Sequence, residues 1–320
     1  MFHQITIFTG LVFILIGFNI GILSGFFGVG GCFILTPLLN ILGLPMAQAV
    51  GTGLFFAVIV SSFAGLKHYL AGNSLIKVSI VMGLVSFVGI HLSQPLVIYL
   101  DSLNLAGFYI RLLYIILLLT LGFLTIRKKT TNSIKDTKAK KKPSNIFRAL
   151  KYLPPKISIE PDLLPISIWP MVMIALIVGC LQGFLGVGGG FILVPVLILF
   201  LNMQPHHAVG TSLVTIVISS IFAAFLYFQA GKVLVPVSLL LGLGSLAGVS
   251  FGVSATSNIS GDKLRHLYSI FLLLTSIGIA LKSLEYNLFS MIYMLILSFS
   301  IGLLILFRYY FNNKNSYLSK

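Results

Sequence analysis

The sequence predicts an all-α polytopic membrane protein of two inverted repeats. Each repeat has about five helices, some broken at glycines, and one extra helix follows at the C-terminus. Three observations carry this. Of the 320 residues, 58% are hydrophobic and only 8% are charged, whereas a soluble domain carries about 25% charged residues to cover its surface. Apolar runs of roughly membrane-spanning length recur from end to end. The second half of the chain also repeats the first. A chain so poor in polar surface is not a soluble enzyme, a nucleic-acid-binding domain or a disordered regulator.

In the first half the apolar runs fall at 5–24, 32–43, 47–66, 75–98 and 108–126. No Lys or Arg precedes Lys67, so the first run lacks the basic flank of a cleaved signal peptide and reads as a retained span. The second half gives 166–185, 190–202, 206–229, 233–255 and 265–281, with an eleventh run at 288–308. The runs at 32–43 and 190–202 are short for a span of about 20 residues. They contain Pro37 and Pro195, which remove a backbone donor and kink a helix, and they read as short or partly re-entrant helices.

The duplication is explicit. Ser24–Pro37 (SGFFGVGGCFILTP) and Gln182–Pro195 (QGFLGVGGGFILVP) agree at ten of fourteen positions with an offset of 158. At an offset of 159, Ala49-Val50-Gly51-Thr52 recurs as Ala208-Val209-Gly210-Thr211, and Gly83 and Gly89 recur as Gly242 and Gly248. Arg111 and Tyr114 correspond to Arg265 and Tyr268.

Charge sets the expected topology. Most of the net charge of +15 lies between Arg127 and Lys156, where eleven basic residues face the single acid Asp136. A basic connection between spans marks the cytoplasmic side, and it can also touch anionic lipid headgroups. Five crossings per unit with the N-terminus outside place Lys67, Lys77, this linker, Lys263 and Arg308 inside. An odd number of crossings makes the two units antiparallel, as in many transporters. The expected organisation is repeat 1 over 1–126, a basic cytoplasmic linker over 127–165, repeat 2 over 166–283, an extra span over 284–310 and a cytoplasmic tail over 311–320.

The glycine turns are the first candidates for function: Gly28, Gly30 and Gly31 in one copy, and Gly186, Gly188, Gly189 and Gly190 in the other. Irregular backbone at membrane depth survives only inside protein or beside a watery cavity. Exposed amides at a following helix N-terminus favour an anion. The competing reading is close helix packing through small residues. No phosphate-loop lysine follows either turn, so a nucleotide site is excluded.

Thr52, Thr211 and Ser212 could donate hydroxyls to an oxyanion; alternatively they bond a carbonyl one turn back. Arg111 and Arg265 could draw anions to the two mouths, or snorkel to the interface. His206 and His207 follow Pro205 at a helix start, where either a gating or an interfacial structural role stands. Adjacent residues on a helix diverge, so they do not chelate a metal. The two cysteines, Cys32 and Cys180, match neither a disulfide framework nor a zinc spacing, and no cofactor motif is present. All six acids lie in loops or at run ends, which argues against cation transport and carboxylate proton relays.

The duplicated GF-x-GVGG-[GC]-FIL-x-P and AVGT segments resemble the sulfite exporter TauE/SafE family, also called the toluene sulfonate uptake permeases, over about residues 10–283. The resemblance implies a permease for small sulfur-containing oxyanions or organosulfonates in a bacterial plasma membrane. Cys32 in place of the third glycine, the long basic linker and the eleventh run depart from the family pattern. The reading is therefore a permease moving sulfite, thiosulfate or an organosulfonate outward by alternating access, with its partners a small anion and the lipid bilayer. The alternative is a non-transporting membrane scaffold or sensor that recruits a partner through the linker. Homo-oligomerisation is left open by the sequence.

Overall fold

A computed structural model of the chain describes residues 7–127, 156–157, 166–201, 203–257 and 259–318. The first half forms α1 (Ile7–Phe27), α2 (Cys32–Ile41), α3 (Met46–Leu70), α4 (Ile76–Ser102) and α5 (Ala106–Arg127). The second forms α6 (Ile168–Leu185), α7 (Gly190–Phe200), α8 (Pro205–Gln229), α9 (Val235–Ser257) and α10 (Gly261–Ser283), and α11 (Asn287–Leu318) follows. Every apolar run contains one helix. Among the described residues nine helices are long and apolar enough to cross a bilayer, so the chain is a multi-pass membrane protein. Helices α2 and α7 have 10 and 11 residues, about 15 Å at 1.5 Å per residue and half of a hydrocarbon core of about 30 Å.

Two features differ from the apolar pattern. Strands β1 (Lys156–Ile157) and β2 (Ile166–Ser167) form a two-residue antiparallel ladder just before α6, too short to leave a readable alternation. Helix α11 runs to Leu318, well past its apolar run, because backbone hydrogen bonds propagate a helix once it is nucleated. The rest of the basic linker lies outside the described residues.

The two halves interleave through glycine seams. A β-carbon at Gly25 of α1 would lie 2.7 Å from the Val249 carbonyl oxygen of α9, and β-carbons at Gly17 and Gly21 would overlap the backbone of Leu241 and Ser245. From the other side Gly244, Gly248 and Gly252 abut the backbone of Ile14, Phe18 and Ile22. These pairs ascend together, so α1 and α9 run in parallel, backbone against backbone. Helices α4 and α6 repeat the arrangement, Gly179 meeting Ser86 and Gly89 meeting Cys180. Small residues let backbones approach where lipid supplies no hydrophobic drive between helices.

Other cross-half contacts come in matched pairs. Gly83 faces Ile218 as Gly242 faces Ile59, and Gly28 faces Val209 as Gly186 faces Val50. An aromatic cluster packs around the two broken helices: Phe27 on Phe271 at 5.0 Å, Phe33 on Phe271 at 5.2 Å and Tyr114 on Phe191 at 5.9 Å. Helix α11 docks on this body through Asn19–Ser298, Ser290–Gly278 and Tyr293–Leu274 hydrogen bonds. Leu84, Val88, Leu92 and Leu96 of α4 are exposed, as lipid-facing residues are. Exposed Tyr99, Tyr109, Trp169 and Tyr286 sit near helix ends, where amphipathic rings meet headgroups.

Candidate functional site

Each glycine turn exists because its backbone needs positive φ. Gly28, Gly30 and Gly31 have φ of 73°, 71° and 75°, and Gly186, Gly188 and Gly189 have 68°, 64° and 79°. An L side chain in this region pushes its Cβ against the following carbonyl. The turns end α1 and α6 inside the protein and restart the chain as α2 and α7. Breaking a helix there strands carbonyls, and polar side chains from other helices collect them. His68 Nε2 lies 2.8 Å from the Gly25 carbonyl oxygen, and Thr256 donates to that of Phe26. Tyr227 donates to Gly183 and Tyr114 to Leu185. Ser212 donates to the Gly28 carbonyl at 2.7 Å. The residue matching Ser212 is Gly53, and there Thr36 takes over, donating to Gly186 at 2.7 Å.

The amides are treated differently. The cap residues of α2 and α7, Gly31 and Gly189, are left-handed glycines that make no side-chain cap, so the first amides of both helices face the interior without one. That is the polarity that favours an anion.

The packing and ligand readings of the glycines separate by position. β-carbons at Gly28, Gly186 and Gly190 would lie 2.8, 2.6 and 2.6 Å from the backbone Cα of Val209, Val50 and Val29 respectively, so these three are packing glycines. Gly190 has no positive φ, and its counterpart Cys32 is buried, its thiol donating to the Gly53 carbonyl at 2.7 Å. By contrast, the nearest neighbours of Gly30, Gly31, Gly188 and Gly189 are side chains alone. The two turns meet: Gly190 touches Val29, and a β-carbon at Gly188 would lie 3.8 Å from Cys32 Sγ.

Thr52 and Thr211 are buried, and neither hydroxyl oxygen bonds one turn back. Each accepts an amide from the other half at 3.0 Å, Thr52 from Leu234 and Thr211 from Leu75. Ser238 and Ser79 donate to the same threonines' carbonyls at 2.9 Å. These residues cap the starts of α9 and α4 across the repeat boundary.

Arg111 donates to Asn40 Oδ1 at 3.1 Å, tying α5 to α2. Arg265 is buried, 3.7 Å from Asp262, and lines a small cavity with Phe27, Val194, Ile198 and Tyr268. His206 and His207 lie half-buried at the start of α8, with Pro205 against Gly261 of α10 and lining the same small cavity as Phe27, just before the first turn. Among the described residues no His, Cys, Asp or Glu cluster could hold a metal.

The glycine and threonine motifs pass over four polar residues flanking the turns. Ser24 and Ser61 lie beside the first turn, with Ser61 Oγ 2.9 Å from where a Gly30 β-carbon would sit. Their counterparts Gln182 and Ser220 lie beside the second and bond each other at 3.1 Å. All four are buried. Their signal is available: they recur at the offsets of 158 and 159 that relate the motifs.

Comparison with known proteins agrees with this architecture. The sulfite exporter TauE/SafE family model matches residues 13–279. A probable membrane transporter protein of Methanocaldococcus jannaschii is 28% identical over 275 residues, covering 81% of this chain and 91% of the relative. The probable membrane transporter protein YjnA of Bacillus subtilis is 25% identical over 277 residues, covering 82% and 97%. One from Xylella fastidiosa is 24% identical over 274 residues, covering 84% and 92%. No solved structure matches the chain. With paired glycine turns inside a multi-pass bundle and a family match over most of its length, the chain belongs to the sulfite exporter TauE/SafE family of membrane transporters.

Proposed function

We propose that this transporter moves a small sulfur-containing anion (sulfite, thiosulfate or an organosulfonate) outward across a bacterial plasma membrane. The observation that carries the reading is the meeting of the two turns, where uncapped helix N-termini approach one another deep in the bundle. An anion gains there from aligned amides without a buried countercharge. The matched contacts between halves support an inverted arrangement, with the site between units that rock against each other. The N-terminus then lies outside, with the linker and C-terminus cytoplasmic, and the basic linker rests on anionic headgroups.

An anion leaving an inside-negative cell gains about 2.3 kcal/mol per charge for each ~100 mV. That suffices for export without a coupled ion, and among the described residues the acids Asp101, Asp262 and Glu285 lie at helix ends or in a turn, where they relay no protons through the bundle. The role is transport rather than enzymatic turnover.

The test is flux into proteoliposomes under an imposed potential, comparing sulfite, thiosulfate, sulfate and a sulfonate. Selective, potential-driven flux that Gly188→Leu removes supports the reading. Absence of sulfur-anion flux through folded protein overturns it and leaves the scaffold role.

A further inference from the structure

Ile216 of α8 is fully buried at the point where the turns converge. Its side chain lies 3.2 Å from where a Gly30 β-carbon would sit, 3.3 Å from that of Gly188 and 2.7 Å from that of Gly190. It thus packs against both turns at once. The equivalent position in α3 is Ala57, whose Cβ lies 3.4 Å from the Gly188 β-carbon position. The halves thus agree in one hydroxyl, Ser61 matching Ser220, and differ in bulk where Ile216 faces the turns.

The residues flanking the turns carry buried polar atoms with no hydrogen-bond partner: Ser24 Oγ, one helical turn before Gly28, Ser61 Oγ beside Gly30, and Gln182 Oε1. Gln182 Oε1 is 3.1 Å from the Gly189 β-carbon position, so one orphan flanks each turn directly. An unsatisfied buried polar atom is costly, and three on residues that flank the two turns, Ser24 and Gln182 being counterparts, indicate groups waiting for a ligand.

We infer that Ile216 is the size-selecting gate of the anion site, and that Ser24, Ser61 and Gln182 take the anion's oxygens when Ile216 withdraws. This rests on the permease reading and narrows it. The hydroxyls of Ser24 and Ser61 donate to the anion. The two ends of the Gln182 amide are isosteric; turned over, it accepts from the Ser220 hydroxyl through Oε1 and presents N–H donors to the site. The space an isoleucine side chain vacates matches sulfite, which has as many heavy atoms. Thiosulfate is slightly larger, and an aryl sulfonate several-fold larger is excluded. Helix α8 can yield here. Thr215 and Ser219 bond back to the carbonyls of Thr211 and Thr215 at 2.9 and 3.0 Å, a pattern that bends helices.

The experiment uses the full-length protein in proteoliposomes with sulfite, thiosulfate and benzenesulfonate, each variant first checked for a single elution peak in detergent. Wild type moves sulfite and excludes benzenesulfonate. Ile216→Ala raises benzenesulfonate flux about tenfold, the range expected for a few methylenes of pocket space, while sulfite flux persists. Ile216→Val gives a smaller rise in the same direction and serves if the alanine variant does not fold. Ser61→Ala raises the half-saturating sulfite concentration about tenfold, as loss of a hydrogen bond to a charged group does. Wild-type sulfite flux with size limit and saturation unchanged in these variants overturns this inference alone, as does free passage of benzenesulfonate through wild type. No sulfur-anion flux through folded wild type overturns the permease reading and this inference with it.

Discussion

A β-carbon at Gly188 would have as its nearest neighbours the side chains of Ile216, Ala57 and Cys32, none nearer than 3.3 Å, whereas one at Gly190 would lie 2.6 Å from the backbone of Val29. The two glycines are two residues apart, and their substitutions should part company. Gly188→Ala has room but must hold φ at 64°, a cost of about 1–2 kcal/mol. It should still fold, with flux reduced several-fold as its methyl crowds the site. Gly190→Ala has no room, because backbone cannot step aside as a side chain can. It should lower the melting temperature in detergent or prevent a monodisperse peak. Equal melting temperatures for the two would contradict the separation of packing from site glycines. None of this is legible in the run GVGGG, where the glycines look alike.

At the scale of elements, the short helices and the hydroxyl caps decide how the halves hold together. Thr52 and Thr211 accept the amides of Leu234 and Leu75 at the starts of α9 and α4. Thr52→Val and Thr211→Val keep the shape and remove the acceptor, so each should cost about 1 kcal/mol, as lost helix caps do. Sites with no shared partner should add in the double variant, and thermal unfolding in detergent reads this directly. The α1–α9 seam is less forgiving. Gly21→Leu puts a branched chain where the Ser245 backbone lies, and the protein should fail to assemble while still entering the membrane, since α1 becomes no less apolar. Fractionation of membranes followed by size-exclusion chromatography separates these outcomes. The helices themselves were legible from apolar run length. Their partners were not, because α1 pairs with α9 across more than 200 residues of chain.

For the whole molecule, an ion pair ties the two halves at one end of the bundle. At one end Lys232, in the turn between α8 and α9, pairs with Asp101 at the end of α4 at 3.2 Å, and the Ala47 amide donates to the same carboxylate. The pair is partly shielded, with 29% and 14% of the side chains exposed, so it holds more firmly than an open surface pair. It latches the two halves together at that end. Asp101→Asn should loosen the latch and open the path toward the turns. In protein with Cys32 and Cys180 replaced by alanine, a Val50→Cys reporter beside Gly186 should react several-fold faster with an impermeant maleimide added from the Lys232 side. An unchanged labelling rate would show that the pair does not control access.

Composition and local order in the sequence established a membrane chain, the place of each helix apart from the long C-terminal extension of α11, its duplication, and glycine turns that interrupt apolar runs. These follow from run length, charge placement and repetition, which need no knowledge of what lies across the fold. The tertiary structure decided what each polar and glycine residue meets. It placed Thr52 and Thr211 as caps on the opposite half, assigned Gly28, Gly186 and Gly190 to packing, and brought Ile216, Ser61 and Gln182 to the place where the turns converge. The reason is physical: inside a bilayer nearly every side chain is apolar and every helix looks alike to its own neighbours in sequence. The few polar atoms that distinguish a site are therefore identified only by the distant residues they reach.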